Sequence, residues 1–208
     1  MTTADAPSET PFPTGEPWSG SEIDACHRQL LDAGSSFLRR IPGGIFFTAQ
    51  GDRWSPAEHT RHLTKSARPL VPALRLPSWV TALLFGRASR PSRTFAALRE
   101  EYRRRLAGGA QAGRFAPSPK PAPSNLDQGR DEIVAHWRAE VESLRASANR
   151  WSESALDRRR LPHPLLGKLT VREMLLFMLY HDAHHLRLVA GRLPEGVRER
   201  ALGGGGAT

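Results

Sequence analysis

Eight histidines carry most of the chemical potential of this 208-residue chain: His27, His59, His62, His136, His163, His181, His184 and His185. Three of them fall in the run His181-Asp182-Ala183-His184-His185. His181 and His185 are four residues apart, so on a helix their rings lie one turn apart on one face. They continue an apolar stripe spaced by threes and fours: Val171, Met174, Leu175 and Met178 before them, Leu188 and Val189 after. An imidazole buried there without a partner costs about 1–3 kcal/mol. Two rings so placed can share a divalent metal, one nitrogen each. Hydrogen-bonded core histidines meet the same need, and the pair alone leaves both readings open.

A third ligand has to come from another helix. His62 fits best, because it lies on the stripe of Leu63, Ser66 and Leu70; His59, one turn earlier, competes with it. Three neutral imidazoles with a fourth position free form the arrangement of a catalytic rather than a structural metal site. His184 is rotated by about 100° from His185 and reads as an orienting group or proton shuttle. His27, His136 and His163 have no partner at useful spacing and read as surface or interface residues. Cys26 falls in the apolar stripe of the first helix and reads as a buried, inert thiol.

Four amphipathic stretches have to position these groups. The first runs from about Ser21 to Arg40, with Ser19 and Glu22 at capping-box spacing, and stops at Pro42-Gly43-Gly44. The second opens at Ser55-Pro56-Ala57-Glu58, a cap, a first-turn proline and a second capping box, and should kink or end at Pro69 and Pro72. Residues 74–125 form a long crossover holding short helices at Trp79–Phe85 and Ser92–Leu106 and the extended stretch Ala116–Ser124. The third helix spans about Leu126–Trp151. The connection Leu161–Leu169, with two prolines and a glycine, is read as loop. The fourth opens at Thr170 with Glu173 completing a capping box, and runs to about Ala190, capped at Gly191. No strand is expected. The fold class is all-α: a four-helix bundle over 19–195, with a disordered lead-in at 1–18 and a flexible tail at 196–208.

Composition narrows the function classes. A single cysteine excludes an intramolecular disulfide and cysteine-cluster metal sites. The longest apolar runs, Trp79–Phe85 and Met174–Tyr180, are far shorter than the ~20 residues that span a bilayer. The N-terminus has no basic start followed by an apolar segment, so a signal peptide is not expected and a cytoplasmic location is. The net charge of +9 is carried almost wholly by arginine, with lysine only at Lys65, Lys120 and Lys168. Acidic residues sit beside the runs Arg103–Arg105 and Arg158–Arg160, and no aromatic residues alternate with them, which argues for a solvated surface and against a nucleic-acid partner.

The stretch Trp54-Ser55-Pro56-Ala57-Glu58-His59-Thr60-Arg61-His62-Leu63, with Thr170-Val171-Arg172-Glu173-Met174-Leu175 and His181-Asp182-Ala183-His184-His185-Leu186 near the end of the chain, resembles the DinB superfamily. The resemblance covers about residues 22–192. It implies an up-down-down-up four-helix bundle with a long crossover between its second and third helices, often dimeric. It also implies a divalent metal on three histidines, here His62, His181 and His185. Members with known activity include S-transferases and isomerases that use low-molecular-weight thiols; many others are described only as metal-dependent hydrolases. Two positions depart from relatives: Leu188 stands where a glutamine often follows, and Arg187 where some thiol-histidine biosynthetic relatives have glutamate.

The expectation is therefore a metal-dependent enzyme that activates a low-molecular-weight thiol, or water, for reaction with a small-molecule substrate. Zinc or nickel leads among the metals, with iron or manganese as alternatives. Asp182, His184, Glu58 and Tyr180 are the nearby groups able to move protons or orient ligands. A non-enzymatic metal- or ligand-binding bundle, whose basic surface meets an acidic partner, is the alternative.

Overall fold

The computed structural model describes residues 11–118 and 120–203. In chain order the elements are α1 (Gly20–Arg39), α2 (Gly43–Phe47), α3 (Pro56–Ala67), α4 (Leu70–Arg75), α5 (Ser78–Phe85), α6 (Phe95–Ala107), α7 (Leu126–Ala148), α8 (Glu153–Arg158), β1 (Arg160–His163), β2 (Gly167–Thr170), α9 (Val171–Ala190) and α10 (Glu195–Leu202). The chain is mostly helical. α1 and α3 each pack against both α7 and α9. α9 is buried around nearly its whole circumference, from Val171 to Ala183 without a break, so its position controls everything packed on it.

The helix starts follow from local chemistry. Ser19, Ser55 and Thr170 each accept a hydrogen bond from the backbone N–H three residues on, and Glu22, Glu58 and Glu173 reach back to the cap residues. Each box satisfies two backbone donors that a helix N-terminus otherwise leaves bare. The start sets the helical phase, and the phase decides that His62 on α3 and His181 and His185 on α9 face inward.

Glu173 has a second task. Its carboxylate is fully buried and accepts from Arg90 Nη1 at 2.6 Å, from Arg93 Nε at 2.9 Å and from the Arg93 backbone N–H at 2.8 Å. Burial works against its charge, but these donors outweigh it and hold the carboxyl down to about 2. The crossover is thereby tied to the start of α9. Next to it the buried Arg172 donates to both carboxylate oxygens of Asp157, to Glu153 and to the Trp18 carbonyl, and its guanidinium lies 4.8 Å from the Trp18 ring centroid.

Three expectations are corrected. The 161–169 connection is not loop but part of an antiparallel hairpin, Arg160 pairing with Thr170 and His163 with Gly167. Three residues, 164–166, make the turn, and Gly167, which opens β2, sits at φ +72, a conformation suited to glycine. Prolines and a glycine hid the strands, because this hairpin is packed by Leu161 and Leu169 rather than by an alternating pattern. The lead-in is not structureless over 11–18: Phe12 is buried with its ring 5.1 Å from that of Phe37, and Arg187 donates to the carbonyls of Pro11 and Phe12. Residues 1–10 of that expectation lie outside the described residues. The tail is helical over α10, which packs on α1 and buries Ala201; residues 204–208 lie outside the described residues.

Glu173→Gln should destabilise the fold by about 2–3 kcal/mol, since two arginines and two backbone donors lose a buried carboxylate, and the arginines recover part of that by resolvation. Urea unfolding checks it: the midpoint should fall with the slope unchanged. A shift under about 0.5 kcal/mol would mean that the crossover is held elsewhere.

Candidate metal centre

α3 and α9 run side by side and bring His62, His181 and His185 together, all three buried. One nitrogen from each lies within 4.8 Å of the other two. The ring centroids of His62 are 4.9 Å from His181 and 4.6 Å from His185, and His181 and His185 are 4.6 Å apart. His62 Nε2 and His181 Nε2 approach to 3.0 Å. Zinc–nitrogen bonds of about 2.0–2.1 Å in a tetrahedral site put ligand nitrogens about 3.3 Å apart, so only a few tenths of an ångström separate this pair from ligand spacing.

The proton positions can be traced from the fixed partners. His62 Nδ1 donates to the Phe115 carbonyl at 2.8 Å, in a 3-10 turn (Gly113–Phe115) of the crossover. Its Nε2 is therefore the bare nitrogen, and it points at His181. Arg192 Nη1 donates to His59 Nε2 at 3.1 Å, which leaves the proton of His59 on Nδ1, 2.8 Å from His185 Nδ1. His59 thus stands behind His185 instead of replacing His62. In this arrangement His185 accepts on Nδ1 and carries its own proton on Nε2, so ligation through Nε2 requires His185 to adopt the Nδ1–H tautomer and His59 to turn its Nδ1–H away from that contact. Trp54, just ahead of α3, lies over the cluster, its ring stacked on His185 at 13° and 5.0 Å from His62.

Electrostatics keep every ring neutral. Burial pushes His59 down to about 3 and depresses His62, while His181 and His185 fall well below the ordinary 6.5 through burial and repulsion from neighbouring histidines. Neutral imidazole is the form a metal needs. Two orphaned atoms mark the same spot: His181 Nδ1 and Asp182 Oδ1 are buried, without hydrogen-bond partners, and 3.9 Å apart. A metal on His181 Nε2 places the ring proton on Nδ1, which then needs an acceptor such as a carboxylate. The residues therefore fit a metal.

The cluster forms one wall of a largely apolar cavity of about 330 Å³, which Phe177, Met178, Leu161 and Leu165 help to line. His184 also lines it, half-buried and stacked on Tyr180. Asp182 and Glu58 are not among its lining residues. Asp182 is buried, its carboxyl pushed up to about 8 by burial, with the Trp137 indole opposing in part. Glu58 is engaged with the Ser55 backbone and hydroxyl. Of the histidines set aside in the sequence, His136 is exposed, His27 is buried with Nε2 on the Leu175 carbonyl, and His163 lines the cavity. The hairpin that carries His163 was not legible as strands, so its side chain had no assignable direction. Cys26 is half-buried rather than buried, and burial raises its thiol pKa.

The pH dependence of stability follows. Below pH 6.5 the unfolded chain takes up protons that buried His27, His59, His163, His181 and His185 refuse, so stability falls as pH drops toward 4. Asp182 acts the other way: between 3.8 and about 8 the folded chain keeps a proton that the unfolded chain has released, so stability falls as pH rises. Five unfolded histidines, half protonated at pH 6.5, outweigh one carboxyl until they have released most of their protons near pH 7, and above that Asp182 prevails. Melting of the metal-free chain should be highest near pH 7 and lower at both pH 5 and pH 8.5. A melting temperature that is flat between pH 5 and 6.5 would contradict neutral burial of the histidines.

The family model described as DinB superfamily matches residues 24–189. No curated protein and no solved structure matches the chain. The match spans most of the chain, and the protein belongs to the DinB superfamily.

Proposed function

We propose that this DinB-superfamily chain is a metal-dependent enzyme in which His62, His181 and His185 hold a divalent ion, zinc or nickel by preference, beside a cavity that takes an apolar small molecule. The buried cluster of three neutral imidazoles at the wall of that cavity carries the reading. The family membership supports it, as does the packing of α1 and α3 against α7 and α9, which we read as the up-down-down-up four-helix bundle. A bound divalent ion supplies a Lewis acid that lowers the pKa of a thiol or water placed beside it. Activation of a low-molecular-weight thiol for transfer to an electrophile is the preferred reaction class, and hydrolysis by water the second.

The chain's own residues divide the remaining work. The Phe115 carbonyl fixes the His62 tautomer, so Nε2 presents its lone pair. Asp182 accepts from His181 Nδ1 once that ring is ligated, and so acts as an orienting residue. Trp54 shields one side of the cluster from water. His184, its pKa lowered by burial and by Arg187, is neutral at pH 7 and takes the proton that the thiol or water gives up.

Elemental analysis after incubation with zinc, nickel, iron or manganese tests the site. Wild type should retain about one ion per chain, and His62→Ala should lose it. Asp182→Asn should weaken metal affinity about 10–100-fold, read by competition with a chromophoric chelator. A wild-type chain that stays metal-free with all four ions would overturn the reading.

A further inference from the structure

The hairpin closes one side of the cavity, and His163, the last residue of β1, faces that side. Its ring packs on Phe177 with centroids 4.2 Å apart. The backbone N–H groups of Leu165 and Leu166 both donate to its Nδ1, at 3.2 and 3.0 Å. Stabilising the turn uses that nitrogen alone. A neutral imidazole that accepts on one nitrogen carries its proton on the other, so the proton is on Nε2. Nε2 has no partner among the described residues, and it is not among the sealed orphan atoms such as His27 Nδ1 and His181 Nδ1. Burial lowers the ring's pKa to about 4, which makes the group a neutral donor at pH 7. The neighbouring wall, Leu161, Pro164, Leu165 and Phe177, offers it no side-chain acceptor. An N–H fixed in such a wall discriminates strongly, because a ligand without an acceptor leaves it unpaired.

We propose that His163 Nε2–H is the specificity donor of the cavity, receiving an oxygen acceptor, a carbonyl in the simplest case, on an otherwise apolar substrate. The proposal deepens the preceding reading and rests on the cavity as the substrate site, with no dependence on the metal. The donor's direction is fixed by the turn, so a ligand held by it has its other end free to reach the three histidines across the same cavity.

Two measurements on the full chain test it, each with and without added zinc. Long-range proton–nitrogen correlation of the imidazoles should show His163 as the neutral Nε2–H tautomer at pH 7; the Nδ1–H tautomer or an imidazolium would overturn the proposal. Acetophenone and ethylbenzene then serve as matched probes with and without an acceptor. The ratio of their affinities, from chemical-shift titration, should fall about five- to tenfold in His163→Asn relative to wild type. Asparagine keeps an oxygen near the Nδ1 position for the Leu165 and Leu166 amides but has no donor at the reach of Nε2. His163→Phe, which keeps the ring against Phe177, should show the same loss should the asparagine variant fold poorly. An unchanged ratio in a folded variant overturns the proposal. Binding of neither probe to wild type overturns both the proposal and the substrate cavity. A shifted ratio in a chain that retains no metal supports the donor while removing the metal reading.

Discussion

Neutral imidazoles packed between α3 and α9 impose the governing constraint on this protein. Four histidines, His59, His62, His181 and His185, are buried within a few ångströms of one another. None can afford a charge there, since each positive ring would raise the cost of the next. Each therefore needs a defined proton position and a defined partner. The surrounding chain supplies them from distant places: Phe115 from the crossover, Arg192 from beyond the end of α9, and Trp54 from the approach to α3. His181 Nδ1 is left bare beside an equally bare Asp182 oxygen, and His185 Nε2 has no hydrogen-bond partner among the described residues. The divalent ion proposed for the cluster would give these nitrogens a role.

Precision at that cluster depends on the anchoring of α9. The helix is buried almost throughout, so no exposed face gives it freedom to rotate. Its first turn is held by Thr170 and Glu173, and Glu173 and Arg172 draw in the crossover, α8 and the chain ahead of α1. About two helical turns separate Glu173 from His181 and about three separate it from His185, and over that length a small error in phase would carry the rings off the cavity wall. Buried ion pairs are poor sources of net stability but good determinants of register, and here register is what the site requires.

Much of this was legible in the sequence. The three capping boxes marked where α1, α3 and α9 begin, because a cap is a local hydrogen-bonding pattern that residue types at fixed spacing reveal. Once the phases were known, the His181–His185 spacing and the stripe through His62 pointed to a common interior. What stayed hidden depended on tertiary partners. The strands around Pro162 and Pro164 lack an alternating pattern, so neither the hairpin nor the direction of His163 was visible. Phe12 looked like part of a proline-rich lead-in until the burial site against Phe37 and the donors of Arg187 were known. Arg187 holds that segment in place. Glu58 illustrates the reverse: its place beside the histidines suggested chemistry, whereas its carboxylate is engaged at the Ser55 cap.

The central claim is that three imidazoles from α3 and α9 hold one ion. X-ray absorption at the metal edge of zinc-loaded protein addresses it most directly. The account predicts three imidazole nitrogens at about 2.0–2.1 Å, with the fourth position filled by a light atom. Two or fewer imidazoles in the first shell, or a spectrum unchanged in His62→Ala, would contradict it.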